Sequence, residues 1–439
     1  MKDLNLRYAE IIRERYEENS ASAKDAIAHM EAGSAIYRGV PVACLYMPKL
    51  FSEAAWEHLQ QAAATICTIL DKVIQRYLDD AMYRKLFPFS TELEQLILTE
   101  AGYPRLLPIA RLDIFFNEED FSFQFCEFNA DGASAMNENR EINAALQQSD
   151  ALIKMREAYD ITAFEYFDSW VKEFMEIYGS YHKKVASPSV VIADFMEGAT
   201  VNEFIEFKDA FLRAGIDCDI CEIRELVCVD GELRTPDGKK VDAVYRRAVT
   251  RDIMEHIDEV AALLQADVCI IGHFRTQIIH NKAIFSILRM PETFAFLTGE
   301  EQAYILKHIP ETMPLENGVF DLEDVLTNKD SWIIKPEDLY ASRGVYAGID
   351  MDPEAWRKAV TEAIGTGYLL QRYCTPYQSL NIDFNKEARP DFAMYNNITG
   401  MYVYNGKLKG LYSRAGQMGT ISSYAQGLTM ASLLVREKY

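Results

Sequence analysis

Residues 111–134 read RLDIFFNEEDFSFQFCEFNADGAS, and this stretch decides the fold. Two runs, 111–116 and 121–129, are apolar and β-favouring, and Asn117, Glu118, Glu119 and Asp120 interrupt them. That pattern predicts two short strands joined by a turn. Arg111 and Asp113 are two residues apart, as are Glu127 and Asn129, so each pair points to one face of its strand. A loop of Glu118–Asp120 centred on Glu119 sets Arg111 opposite Glu127 and Asp113 opposite Phe125, diagonal to Glu127. Two carboxylates, an amide oxygen and a guanidinium then share one face. Hard oxygen donors of this kind suit magnesium, which binds through one or two carboxylates plus substrate phosphates. An arginine beside them suits a phosphoryl group. Without a cation between them, the two carboxylates are expected to repel. Taken alone, the spacing also fits a solvated hairpin face with a surface ion pair.

Arg-x-Asp, then Glu-x-Asn-Ala-Asp after a short loop, resembles the metal-site hairpin of the glutathionylspermidine synthase family, a circularly permuted branch of the ATP-grasp ligases. The resemblance implies Asp113, Glu127 and Asn129 as magnesium ligands and Arg111 as the arginine that steadies the reacting phosphate. Asn281-Lys282 resembles the family pair whose lysine reaches the nucleotide phosphates. Lys335 ends the apolar run 331–336, and the glycine-bearing stretch 341–348 (ASRGVYAG) follows. This resembles the strand lysine and phosphate-covering loop of ATP-grasp proteins, with Ser342, Arg343 and Gly344 on the loop. Residues 368–373 (YLLQRY) resemble the strand that receives adenine, which places Gln371 and Tyr373 at the nucleotide. Residues 402–414 form a hairpin turning at Asn405-Gly406, and Gly410 and Arg414 match the Gly-x-x-x-Arg that closes the family's core. Ser134 and Glu203 are the residues left for contact with the acceptor substrate. The chain has no amidase domain, and 245–250 (YRRAVT) does not match the family's tryptophan-containing stretch. Glutathione and spermidine are therefore not carried over as substrates.

The rest of the chain supplies the frame. Its 439 residues, 49% hydrophobic, suffice for two to four domains. The formal charge of -22 disfavours nucleic acid, whose phosphates call for clustered lysine and arginine. It is that of a soluble acidic protein and is compatible with a cationic substrate such as a polyamine. Eight cysteines lie scattered through apolar segments without a signal peptide, which points to reduced thiols in a cytoplasm. Cys218-x-x-Cys221 has no second pair at zinc spacing. No apolar run reaches the roughly 20 residues of a membrane helix.

Residues 1–100 read as mostly helical: 20–32 stops at Gly33, 52–77 is a long amphipathic run, and 93–101 ends before Gly102. Residues 139–181 read as helical too. From Ser187, strands at 189–195, 216–223, 241–246 and 267–272 alternate with helices at 200–214 and 251–264, and Thr200-Val-Asn-Glu203 has the form of a capping box. This predicts a small parallel α/β layer. It lacks G-x-G-x-x-G and is not read as a dinucleotide domain. With the resemblance, the expectation is an α+β circularly permuted ATP-grasp fold. Its parts are a helical N-terminal region (1–104), a catalytic core in two pieces (105–186 and 376–439), a Rossmann-like pre-ATP-grasp domain (187–290) and an ATP-binding lobe (291–375). The implied activity is an ATP- and magnesium-dependent carboxylate–amine ligase that works through an acyl phosphate. An ATP-grasp phosphotransferase and a non-catalytic nucleotide-binding protein are the other two readings. The acid, the amine and the oligomeric state stay open.

Overall fold

The computed structural model describes residues 1–339, 343–386, 389–421 and 427–438. Its centre is an antiparallel sheet in the order Leu428–Met430, Lys407–Gly416, Phe392–Tyr404, Ile109–Phe116, Phe123–Asn129, with Gln378–Ile382 also paired to Phe392–Tyr404. Alternation along Ile109–Phe116 sorts its residues by chemistry. Leu112, Ile114 and Phe116 enter the apolar core with Met401, Val403 and Leu411. Arg111 and Asp113 take the opposite face. The core face is covered by the helix Glu53–Asp79, through Leu59, Ala63, Ile66, Leu70, Val73 and Ile74. Burial of each larger side chain there contributes about 1.5–3 kcal/mol. Ser52 caps this helix, its hydroxyl accepting from the Ala55 amide.

The hairpin register differs from the three-residue turn. The strands end at Phe116 and Phe123, and the pairing there is Phe116↔Phe123 and Ile114↔Phe125. A bulge at Cys126 then resets it to Asp113↔Glu127 and Arg111↔Asn129. Asp113 thus faces Glu127 rather than Phe125, and Arg111 faces Asn129 rather than Glu127.

The expected parallel layer forms a four-stranded sheet, in the order Cys269–Ile271, Ala243–Arg246, Ser189–Asp194, Asp217–Glu222. Val201–Arg213 is the crossover helix, but Thr200 does not cap it through its side chain. Glu203 is committed elsewhere, so no capping box forms. The expected helix at 251–264 is two short ones, Thr250–Glu255 and Ala261–Gln265. A third sheet runs Thr312–Pro314, Tyr368–Arg372, Trp332–Pro336, Tyr346–Ala347, all antiparallel. It has its own core of Trp332, Ile334, Trp356, Val360 and Leu370.

In the N-terminal region, Tyr16–Ala32 and Thr91–Leu98 are helices where 20–32 and 93–101 are expected, each starting earlier and the second ending earlier, and Lys2–Glu14 is a further helix. A minimal hairpin, Ile36–Tyr37 with Val40–Pro41, turns at Arg38-Gly39. Within 139–181 the strand Tyr159–Ala163 interrupts the helices and joins Ser432–Glu437 and Lys49–Ser52 in a three-stranded sheet. All eight cysteines are free thiols. No helix among the described residues is long and apolar enough to cross a membrane.

Candidate active site

Asp113 is the hub of the hairpin face and is almost fully buried, at 1% exposure. Arg111 grips it with Nε–Oδ1 at 2.8 Å and Nη2–Oδ2 at 3.1 Å. Asn129 Nδ2 and Arg414 Nη2 each lie 3.3 Å from Oδ2. The third donor of Arg111, Nη1, goes to the Ser134 carbonyl at 2.8 Å, which Tyr402 also reaches at 2.7 Å. These partners fix the guanidinium, and Asp113 keeps it charged against the cost of burial. Gly400 faces Asp113 across the sheet, and a Cβ there would come within 2.8 Å of Arg111 Cδ and 2.9 Å of Asp113 Oδ1. Only glycine leaves room for this cluster.

Glu127 lies beside it, paired with Lys282 at 2.8 Å. Burial raises its pKa, but Lys282, then Lys335 and His280, outweigh burial and bring it down to about 2. The expected repulsion between Asp113 and Glu127 is therefore answered by protein cations: Arg111 and Arg414 on one carboxylate, Lys282 on the other. Lys282 Nζ also donates to the Leu339 carbonyl at 2.6 Å. Lys335 reaches the Gln371 amide oxygen at 2.7 Å and the Cys126 carbonyl at 3.3 Å. Gln371 in turn donates to Thr312 Oγ1 at 2.8 Å.

Two of the cavities along this hairpin flank the charged cluster. The larger, about 480 Å³, is lined by Arg111, Asn129, Ser134, Glu138, Arg343, Tyr412 and Arg414 together with Asp194, Arg247 and Asp252. The narrower cleft is lined by Glu127, Lys282, Lys335, Gln371 and Tyr373 with the apolar Phe115, Ile333, Val345, Ile398 and Ile421. Asn129 opens on one and Glu127 on the other, so the strand Phe123–Asn129 is the seam between them. Burial pushes the Asp194 carboxyl up to about 7, against the pull of Arg247.

Most of the residues singled out in the sequence gather here. Arg111, Asp113, Asn129 and Arg414 form one hydrogen-bonded cluster; Glu127 with Lys282, and Lys335 with Gln371, form the next. Tyr373 lines the cleft and donates to the Gly419 carbonyl at 3.0 Å. Ser134 and Arg343 line the larger cavity, and Gly344 follows Arg343. Ser342, with residues 340 and 341, lies outside the described residues.

Glu203 is placed differently from the expected acceptor contact. It is 2% exposed and behind the cavity wall. Its Oε1 takes Arg247 at 2.8 Å, and its Oε2 takes the Met136 and Asn137 amides at 2.8 and 3.1 Å. It caps the N-terminus of the helix Met136–Leu146 from another element. The strand-to-helix loop ahead of that helix needs this support, because Ala135 holds φ +79, a conformation costing roughly 1–2 kcal/mol in a non-glycine residue. Asp131 secures the same loop through the Thr250 amide and a buried pair with Arg246.

Sequence reasoning missed Tyr37 and Arg38, Glu138, Asp194, Arg246, Arg247 and Tyr412. The Arg246-Arg247 doublet inside an apolar strand was a readable signal of buried partners. The others carry none, because they reach the site only through folding.

The donor set fits a hard cation in part. Asp113, Glu127 and Asn129 share one face, and Glu127 is ionised throughout the neutral range. Among the described residues no group of three or more His, Cys, Asp or Glu converges as an ion site. A cation there would be completed by oxygens of a ligand, as suits magnesium.

No family model matches the sequence, and no curated protein matches it. Among solved structures, the chain is similar to a glutathione synthetase-like effector from Globodera pallida in its apo form, with a TM-score of 0.61 at 11% sequence identity over 95% of this chain and 96% of that one. At that identity the likeness is one of fold: over nearly its whole length, this chain has a mixed α/β fold similar to that of a glutathione synthetase-like protein.

Proposed function

We propose that this protein is an ATP- and magnesium-dependent carboxylate–amine ligase of the circularly permuted ATP-grasp kind, with the five-part division given above. The observation that carries the reading is the seam: a strand with Glu127 on a lysine-bearing, apolar cleft and Asn129 on an arginine-bearing cavity. In this reading the ATP base lies toward Phe115, Ile333 and Ile421 and its phosphates toward Lys282 and Lys335, in a cleft that has to widen to admit it. The acid fits the larger cavity near Arg111 and Arg414.

In this reading the acid attacks the γ-phosphate, giving an acyl phosphate and ADP, and an amine then displaces phosphate. Arg111 stabilises charge on the transferred group, and the two lysines hold the phosphates. Magnesium on Asp113, Glu127 and Asn129 would supply charge neutralisation across the phosphates. Arg111 and Arg414, already fixed by Asp113, need little reorganisation. In this reading the segment 341–348, of which 341 and 342 lie outside the described residues, excludes water, which would hydrolyse the acyl phosphate.

The test is chromatography of nucleotides after incubation with ATP, magnesium and pools of amino acids, short peptides and polyamines, with mass detection of products. ADP, phosphate and a condensed product are expected. AMP and pyrophosphate would overturn the reading. A phosphorylated acceptor with no condensed product would replace it with the phosphotransferase.

A further inference from the structure

Among the carboxylates of the site, Asp113 and Glu127 face cations, Asp131 is paired with Arg246, and Glu203 with Arg247. Each of these is thus engaged by a protein cation. Glu138 is different. It lies in the first turn of the helix Met136–Leu146 and lines the larger cavity with Arg111, Arg414 and Ser134. Tyr412 donates to its Oε2 at 2.5 Å, and Thr429 Oγ1 lies 3.4 Å from the same oxygen. The Tyr412 ring in turn lies under both guanidiniums, 5.5 Å from that of Arg111 and 5.6 Å from that of Arg414. Glu138 is therefore held, through one aromatic ring, beside the two arginines that serve the reacting carbonyl and phosphate in the ligase reading.

We propose that Glu138 is the base of the condensation step, receiving the proton that the attacking amine gives up; the proposal rests on the ligase reading. The nitrogen lone pair forms the C–N bond at the acyl carbon. The C–O bond to phosphate breaks, and its electron pair leaves on phosphate. The N–H proton passes to the Glu138 carboxylate and from there to solvent. The charged and titratable groups around Glu138 are Tyr412, Arg414, Arg111 and, from the helix Val201–Arg213, Glu203. Burial raises the Glu138 pKa above the ordinary carboxylate value, and Glu203 adds to this; the Tyr412 hydrogen bond, Arg414 and Arg111 pull it back. The result is a stronger proton acceptor than an exposed glutamate, as a general base requires. Asp194, Glu197 and Asp252 also line the cavity, but from the parallel-sheet side, and none shares Tyr412 with the two arginines.

The experiment compares two nucleophiles on the full chain with ATP, magnesium and a mixture of amino acids and short peptides as acids. Hydroxylamine is uncharged at neutral pH and traps acyl phosphates unaided; its hydroxamates are read by ferric colour. A mixture of amino acids and polyamines serves as the amine, and amides are read by mass. Glu138→Gln is expected to lower amide formation about 100-fold while lowering hydroxamate formation only a few-fold. Acetate added to Glu138→Ala is expected to restore part of the amide yield. Equal losses of both products would make Glu138 a positioning residue and overturn the proposal, as would no loss of either. The selective loss appearing in Asp194→Asn instead would move the base there. If the wild-type chain forms neither product with any acid, the ligase reading itself fails, which is distinct from failure of the Glu138 assignment alone.

Discussion

Asp113 accepts from two arginines and an amide while almost fully buried, so its charge cannot be removed quietly. Asp113→Asn leaves Arg111 and Arg414 side by side without a counter-ion. The expected cost is about 3 kcal/mol, read as a lower midpoint in urea unfolding; a change under about 0.5 kcal/mol would mean that the cluster is loose. Glu127 makes a prediction about pH. Folding lowers its pKa from 4.5 to about 2, so it adds stability above its unfolded value and loses it as the pH falls through 4.5 toward 2. The contribution is on the order of 3 kcal/mol. Glu127→Gln should therefore flatten this part of the acid-unfolding curve, and an unchanged curve between pH 5 and 2 would contradict the ion pair with Lys282. At this scale the sequence disclosed which residues carry charge and which share a face. It could not disclose their partners. Arg414 is 301 positions from Asp113, and Lys282 is 155 from Glu127. Arg111 stands two positions from Asp113, but the other cations that answer those carboxylates, Arg414 and Lys282, are distant in the chain.

The hairpin shows how a strand pattern can be half read. Phe123 and Phe125 are core residues, and so is Phe128. The apolar phase changes from odd to even between 125 and 128, the mark of one extra residue. That residue is Cys126, which shares the cleft lining with Glu127. The parity change was present in FSFQFCEFN, and a regular turn overrode it. The capping-box motif at Thr200 failed for a different reason. Glu203 met the Met136 and Asn137 amides and Arg247, partners brought by the tertiary fold. Tyr159–Ala163 escaped notice because an edge strand of five residues between helices has little periodicity of its own. The hairpin of Trp332–Pro336 with Tyr346–Ala347 carries the prediction at this scale. Amide exchange in 332–348 should slow on addition of ATP and magnesium, measured by mass spectrometry, because ligand phosphates would engage the backbone of the intervening segment. Exchange unaffected by nucleotide would remove its role as a cover.

Across the whole molecule, three sheets and their helices bring two cavities to one strand, and the N-terminal region joins them. Tyr37 and Arg38 reach the larger cavity from a hairpin pinned by Asn137 and Asn202 to the Ser34 carbonyl at 3.0 and 2.9 Å. A region that reads as helical packing thus supplies cavity wall, a consequence of chain connectivity that composition does not carry. If the cleft binds ATP with magnesium, the native state alone gains the ligand. At 100 times the dissociation constant the stabilisation is about 2.7 kcal/mol, visible as a melting temperature that climbs with ATP. An unchanged melting temperature at millimolar ATP and magnesium would favour a protein that has the fold and does not bind nucleotide.

The central claim is that Asp113, Glu127 and Asn129 act with Arg111 as one phosphoryl-handling face. The most direct measurement is magnesium-dependent ATP turnover by Glu127→Gln, with the fold verified by circular dichroism. The account predicts a fall of about 100-fold or more in a protein that stays folded. Turnover equal to wild type would contradict it.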